Sequence, residues 1–228
     1  GLGWGVFRRG SAAACGLWRR GLAGLATSRW CDGGQGVGCG ARRYVSDAAA
    51  PYAVYLPDGR GVEVTARTAA EIGIASAPGR GNAPARLIEP AQMKRFARGT
   101  GLNERFVCDI LPQSASALHL LVVEVRTPSG HSSSYPPHKH DTDDLPRESS
   151  LEEIYYHRLN PAQGFAFQRV YTDDRSIAES PAVEDNEVVL VPRGYQPAVG
   201  QPGHASYYLN AMAWRKCDGA FKKHTAHR

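Results

Sequence analysis

Apolar and polar residues alternate over short runs along most of this chain, and the runs are separated by Gly, Pro, Asp and polar turns. PYAVYLP (51–57), GVEVTA (61–66) and EIGIAS (71–76) read as short strands. FVCDILP (106–112), HLLVVEVRTP (119–128), LEEIYYHRL (151–159), GFAFQRVYTD (164–173), EVVLVP (187–192) and SYYLNAMAW (206–214) continue the pattern. One stretch breaks it. PAQMKRFARG (90–99) has Pro90 near its start and Gly99 beyond its end, so it predicts a single helix that serves as a connector. Many turn-punctuated strands with almost no helix predict an all-β sandwich or small barrel. Phe165, Phe167, Val170, Val188, Val189 and Leu190 are expected to form core, and Gly194 in PRGY to occupy a tight turn that needs positive φ.

The first 43 residues depart from this order. They hold seven arginines, one acid (Asp32), no Lys, no Glu and three of the four tryptophans, and no period of 2 or 3.6 persists through them. An Arg-rich leader and a basic disordered arm both fit this composition poorly. A GC-rich gene read out of frame would yield mainly Gly, Arg, Ala, Trp and Cys, and that is the reading the composition favours.

The same segment accounts for the chain's charge. The formal net charge of +5 would suggest a nucleic-acid partner, but beyond residue 43 there are 20 Lys and Arg against 21 Asp and Glu. No basic patch survives, so nucleic acid is excluded as an expected partner. No apolar run is long enough to span a bilayer, so no membrane partner is expected either. Five cysteines (Cys15, Cys31, Cys39, Cys108 and Cys217) contain no C-x-x-C pair, and the expected compartment is the cytoplasm.

Chemistry concentrates in SSYPPHKHD (133–141). His138 and His140 stand two apart, so on a strand both imidazoles project from one face. Glu152 and Glu153 open the next run, and a hairpin between the two runs would bring one carboxylate beside both histidines. That is most of a first-row metal site.

PPHKHD (136–141), EEIYYHRLNPAQGFAFQRVYTDDRS (152–176), EVVLVPRGYQP (187–197) and YYLN (207–210), with SAPG and PARLI upstream, resemble the 5-deoxy-glucuronate isomerase family of bacterial myo-inositol catabolism. That family is related to the 4-deoxy-5-keto-uronate isomerases among the cupins. The resemblance is dense from about residue 50 to about 213. It implies tandem cupin β-sandwiches, the first incomplete: 1–43 the anomalous segment, 44–112 a partial N-terminal cupin, and 113–228 a C-terminal cupin with the metal site. Open strand edges follow from such an incomplete sandwich. The implied metal ligands are His138, His140 and Glu153, with Glu152 as the fallback. Alternation favours Glu153, which shares a strand face with Tyr155, His157 and Leu159. The fourth ligand falls on Gln196, where family members carry His. An amide oxygen is a weaker ligand than imidazole for zinc-like ions, and His204 is the one alternative nearby.

The implied cofactor is a divalent ion, Zn or Mn, and the implied reaction converts 5-deoxy-glucuronate to 2-deoxy-5-keto-gluconate. Such an isomerase moves a proton between adjacent carbons and needs a base, an acid and a cation for the substrate carboxylate. Tyr155 is the candidate acid or orienting group, and Arg169 and Arg193 are the candidate carboxylate clamps. Lys139 would point away from the ligand face. The expected partner is a small sugar acid, with a homo-oligomer left open. Two other functions compete: a cupin that binds a sugar acid without turnover, and metal-assisted oxygenation.

Overall fold

The computed structural model describes residues 3–8, 21–25, 29–32, 35–38, 42, 44–57, 63–65, 71–78, 83–115, 119–144 and 149–214, with the segments 3–38 and 63–65 described by backbone only. The expectation that 1–43 is out of frame falls largely outside the described residues. The chain divides into two compact units, 1–94 with 110–121, and 95–109 with 122–228.

The first unit contains β1 (Gly3–Arg8), β2 (Gly21–Leu25), β3 (Arg29–Asp32), β4 (Gln35–Gly38), β5 (Ala53–Leu56), β6 (Glu63–Thr65), β7 (Glu71–Ala77) and β8 (Arg86–Ile88). They form a five-stranded sheet in the order β1-β7-β2-β5-β8 and a three-stranded sheet β4-β3-β6.

The second unit is built from most of β9 (Lys94–Arg98), β10 (Arg105–Leu111) and β11 (Leu120–Thr127), whose residues 94, 110–111 and 120–121 count with the first unit, and from β12 (Ser132–Ser133), β13 (Leu151–Asn160), β14 (Phe165–Gln168) and β15 (Val170–Tyr171). It continues with β16 (Ala178–Glu179), β17 (Ala182–Glu184), β18 (Val188–Val191), β19 (Ala198–Gly200) and β20 (Ala205–Trp214). A six-stranded sheet, β18-β13-β20-β11-β10-β9, is accompanied by a four-stranded sheet, β12-β19-β14-β17, and the pair β15-β16. The architecture is the expected all-β, cupin-type sandwich. Among the described residues no helix is long and apolar enough to cross a membrane.

The expected helix at 90–99 is a strand instead. Pro90–Gln92 is one 3₁₀ turn, closed by Glu89 N–H donating to Gln92 Oε1 at 2.7 Å, and β9 follows at the edge of the six-stranded sheet. Met93, Phe96 and Ala97 carry a helical spacing, but open backbone groups on β10 offer a ladder that a short helix could not replace. Phe96 packs on the core of the second unit.

That core contains Val107, Val125, Tyr155, Val170, Val183, Val189, Val191 and Tyr208, drawn from all three sheets of the unit. Alternation sorts β18 cleanly. Val189 and Val191 point in, whereas Val188 and Leu190 face solvent, as does Phe167 on β14. The expectation that Phe167, Val188 and Leu190 are core is therefore corrected: each lies on the outer face of its strand. Of that group, Val170 and Val189 are buried.

One polar pair sits inside this core. His157 is 1% exposed and its Nε2 lies 2.8 Å from Oε1 of fully buried Gln168. Burial lowers the His157 pKa to about 4, against the Gln168 hydrogen bond and the Glu187 charge. An unfolded chain protonates this imidazole near its ordinary 6.5, so between those pH values the unfolded state holds the extra proton. The contribution is complete above pH 6.5 and is lost as pH falls toward 4. Urea titrations at pH 7 and pH 5 are expected to show about 2 kcal/mol of loss from this group, and His157→Gln to remove that part of the difference.

Gly194 has φ +94, as expected for PRGY, and a Cβ there would run into the Tyr171 carbonyl oxygen. Tyr195 N–H donates to that same oxygen at 2.8 Å. Gly194→Ala is expected to destabilise the protein by about 2 kcal/mol, read as a lower urea midpoint at unchanged slope.

Candidate functional site

The site is organised by a buried carboxylate. Glu153 is 4% exposed on β13, between β20 and β18, with Met212 and Val191 as its cross-strand partners. Residues directly opposite across a ladder share a face. Tyr155 is opposite Asn210, and His157 opposite Tyr208, so Glu153, Tyr155 and His157 line the same inward face as Asn210 and Tyr208.

Three donors satisfy Glu153. Tyr155 O–H donates to Oε2 at 3.0 Å, Asn210 Nδ2 donates to Oε2 at 3.2 Å, and Gln196 Nε2 donates to Oε1 at 3.2 Å. A carboxylate without such partners would be costly at this depth. Glu152 belongs to the opposite face of β13, so Glu153 is the carboxylate turned toward the histidines.

His138 and His140 reach Glu153 by a route other than the expected hairpin. Their segment is not a continuous strand. It makes one antiparallel bridge, Lys139 to Tyr195, and Tyr195 bridges Tyr171 in turn. The register of that bridge sets His138 across from Gln196, on the side away from Lys139 and Tyr195. Leu151 N–H donates to the His140 carbonyl at 2.8 Å and ties the segment to the start of β13.

The imidazoles of His138 and His140 meet edge to face, 5.2 Å between centroids, and His140 Nε2 lies 3.9 Å from Glu153 Oε1. Burial holds His138 below its usual pKa range; the Glu153 carboxylate opposes this, and the His140 and Arg98 charges push it further down. On the other side, Lys139 Nζ lies 2.8 Å from Asp173 and 3.2 Å from Asp141 and sits over the Tyr195 ring. It anchors the histidine segment from outside.

Gln196, 1% exposed, is delivered by the Gly194 turn. Its Oε1 is buried with no hydrogen-bond partner among the described residues. Tyr155 is also sealed in. Burial first, then the Glu153 charge, raise its pKa well above the ordinary phenol value, so it remains a hydrogen-bond donor at neutral pH. Its ring packs 5.0 Å from that of Tyr208, whose hydroxyl shares a 2.6 Å hydrogen bond with Ser133. Tyr208 and Asn210 lie in the YYLN motif, but the motif assigned neither a role in the site. Alternation along SYYLNAMAW, combined with its pairing to β13, is the signal that would have found them.

The remaining candidates lie elsewhere. Arg169 is exposed, donates to Ser180 Oγ at 3.1 Å and stacks over Tyr171; Arg193 is exposed and donates to Ser176 Oγ at 3.0 Å. No contact brings either to Glu153. His204 lies against Gly164, with Nδ1 near the Pro202 carbonyl.

No group of three or more His, Cys, Asp or Glu side chains among the described residues is arranged to hold a metal ion unaided. The donor chemistry nonetheless fits one. Two ligand atoms about 2.1 Å from a shared tetrahedral ion lie about 3.4 Å apart. The 3.9 Å between His140 and Glu153 is near that spacing and too long for a hydrogen bond. The orphaned amide oxygen of Gln196 is a fourth donor atom with nothing else to bind.

A family model described as the KduI/IolB family matches residues 21–228. The 5-deoxy-glucuronate isomerase of Geobacillus kaustophilus is 50% identical over 202 residues, which is 88% of this chain and 71% of that protein. The 5-deoxy-glucuronate isomerase of Geobacillus thermodenitrificans is 53% identical over 174 residues, 76% of this chain and 64% of that one. The chain thus spans about two thirds of the length of the curated relatives it matches. The crystal structure of an IolB-like protein from Salmonella typhimurium LT2 superposes with a TM-score of 0.90 at 41% identity, covering 95% of this chain and 85% of that one. With a match over most of its length, and with relatives at about half identity, this chain belongs to the KduI/IolB family.

Proposed function

We propose that this protein is a metal-dependent aldose–ketose isomerase that converts 5-deoxy-glucuronate to 2-deoxy-5-keto-gluconate in myo-inositol catabolism. One observation carries the reading. In a chain half identical to proteins named 5-deoxy-glucuronate isomerase, two imidazoles, an orphaned amide oxygen and two further donors converge on the buried carboxylate of Glu153.

His138, His140, Glu153 and Gln196 would hold a divalent ion, Zn or Mn. When bound, such an ion supplies a Lewis acid for the substrate carbonyl. The protein's own groups supply order and protons. Tyr155 and Asn210 fix the Glu153 carboxylate from behind, so its orientation does not depend on the substrate. Tyr155, held protonated, is suited to donating a hydrogen bond and unsuited to acting as a phenolate base. The apolar packing of Val107, Val125, Val189 and Val191 around these groups keeps the local dielectric low and strengthens each of their interactions.

The competing reading, a sugar-acid binder without turnover, draws on one feature. Gln196 donates to Glu153 Oε1, the same oxygen that faces His140, so the amide competes with a cation for that atom.

Elemental analysis of protein purified without added metal is expected to find about one equivalent of Zn or Mn per chain. Glu153→Gln, which preserves shape and removes the charge, is expected to lose that metal and at least about a hundredfold in kcat for 5-deoxy-glucuronate. Full isomerase activity in metal-free protein would sink the metal-dependent reading.

Gln196→His is expected to raise metal occupancy and activity together, because imidazole binds such ions more strongly than an amide and cannot copy the Gln196–Glu153 bond. If neither moves, Gln196 is not a ligand.

A further inference from the structure

Arg105 is 6% exposed, yet no carboxylate pairs with it among the described residues. A guanidinium at that depth ordinarily has a counter-ion, because burying an uncompensated charge is costly. Nη1 is fully used: it donates to both the carbonyl and the side-chain oxygen of Asn103, each at 2.9 Å. Nε and Nη2, the edge that meets a planar anion with two parallel hydrogen bonds, have no partner among the described residues.

The turn around Arg105 is shaped to hold it this way. Gly99 has φ +80, and a Cβ there would strike the Asn103 carbonyl and approach Arg105 Nη1. Asn103 Nδ2 also donates to the Tyr135 carbonyl at 3.0 Å, which links the turn to the segment that leads into His138.

Strand alternation gives Arg105 its direction. It stands two residues before Val107 on β10, and Val107 belongs to the same cluster as Tyr155 and Tyr208. Arg98 stands two residues after Phe96 on β9, and Phe96 packs on that cluster too. Arg98 stacks over Phe96 at 5.6 Å and has no ion-pair partner among the described residues. The Arg105 guanidinium experiences burial, the nearby Tyr208 and the charge of Arg98. Buried Arg105 and exposed Arg98, both without an anion among the described residues, therefore stand on the same face of the sheet as Glu153, on strands three and four places away. At about 4.8 Å per strand, β10 is about 14 Å from β13.

We propose that Arg98 and Arg105 form the carboxylate-binding end of the site and set its preference for an acid sugar over a neutral one, a role that rests on the sugar-acid reading above. The substrate lies across this face with its carbonyl end at Glu153 and its carboxylate at the β9–β10 turn. Arg169 and Arg193, the clamps suggested by the motifs, are bonded to surface serines instead.

The test compares 5-deoxy-glucuronate with its uncharged uronamide in wild type, Arg98→Gln and Arg105→Lys. KM for the acid and calorimetric Kd are measured, with a melting curve for each variant. Arg98→Gln is expected to raise KM and Kd for the acid about tenfold or more while kcat changes little, and to erase most of the acid-over-amide preference. Arg105→Lys keeps the charge but loses the two-pronged edge, and is expected to weaken the acid and leave the amide unchanged. If wild type binds the acid without turning it over, and Arg98→Gln weakens that binding, the isomerase reading fails and the carboxylate site stands. If wild type turns the acid over and both variants keep its KM and preference, the carboxylate assignment is overturned and the isomerase reading stands. Should Arg105→Lys fail to fold, Arg98→Gln decides alone.

Discussion

A carboxylate held at 4% exposure inside a β-sandwich must find its partners within the protein, and Glu153 dictates much of what surrounds it. Tyr155 and Asn210 serve one oxygen, Gln196 serves the other, and the His140 imidazole stands just beyond hydrogen-bond range. Each donor comes from a different place: β13 itself, the opposing β20, the turn after β18, and the segment before β13. Meeting one buried charge thus fixes the relative placement of four chain segments. A buried group that is fully satisfied restricts the sandwich to few arrangements, whereas apolar contacts alone would tolerate many.

The backbone that delivers these groups is held from the opposite side. Lys139 and Tyr195 form a bridge whose outward face carries an ammonium between Asp141 and Asp173, over an aromatic ring. Because side chains alternate, whatever fixes Lys139 outward fixes His138 and His140 inward. Gly194 does the same for Gln196, since only a residue without a Cβ can pass so close to the Tyr171 carbonyl. The external ion pairs gain little stability by themselves at exposed positions; their consequence is the direction of the histidines.

The same sheet face runs from β13 out to β9 with a change in character. Near β13 it carries acceptors and neutral donors; near β10 and β9 it carries guanidinium groups. A face graded in this way suits an elongated ligand that is electron-rich at one end and anionic at the other. Tyr208 stands between the two zones, its hydroxyl bonded to Ser133 and its ring against Tyr155.

Much of this was legible in the order of residues. Alternating runs marked ten of the strands, positive φ was readable at Gly194, and strand parity chose Glu153 over Glu152, because these features depend only on local periodicity and backbone sterics. The His-x-His spacing in PPHKHD pointed to His138 and His140 for the same local reason, whereas Gln196 was named only by the family resemblance of PRGYQP. What the sequence could not supply was pairing. The 90–99 segment carries a helical spacing yet became an edge strand, because open hydrogen-bonding groups on β10 are invisible until the sheet exists. Phe167, Val188 and Leu190 are apolar in every reading, and only sheet packing decided that their faces are the outer ones. Arg105 carries no motif of its own, and the YYLN motif gave Tyr208 and Asn210 no role in the site. Their place beside a carboxylate far away in the chain is set by the β13–β20 register and the order of strands, which are long-range choices that tertiary structure alone makes.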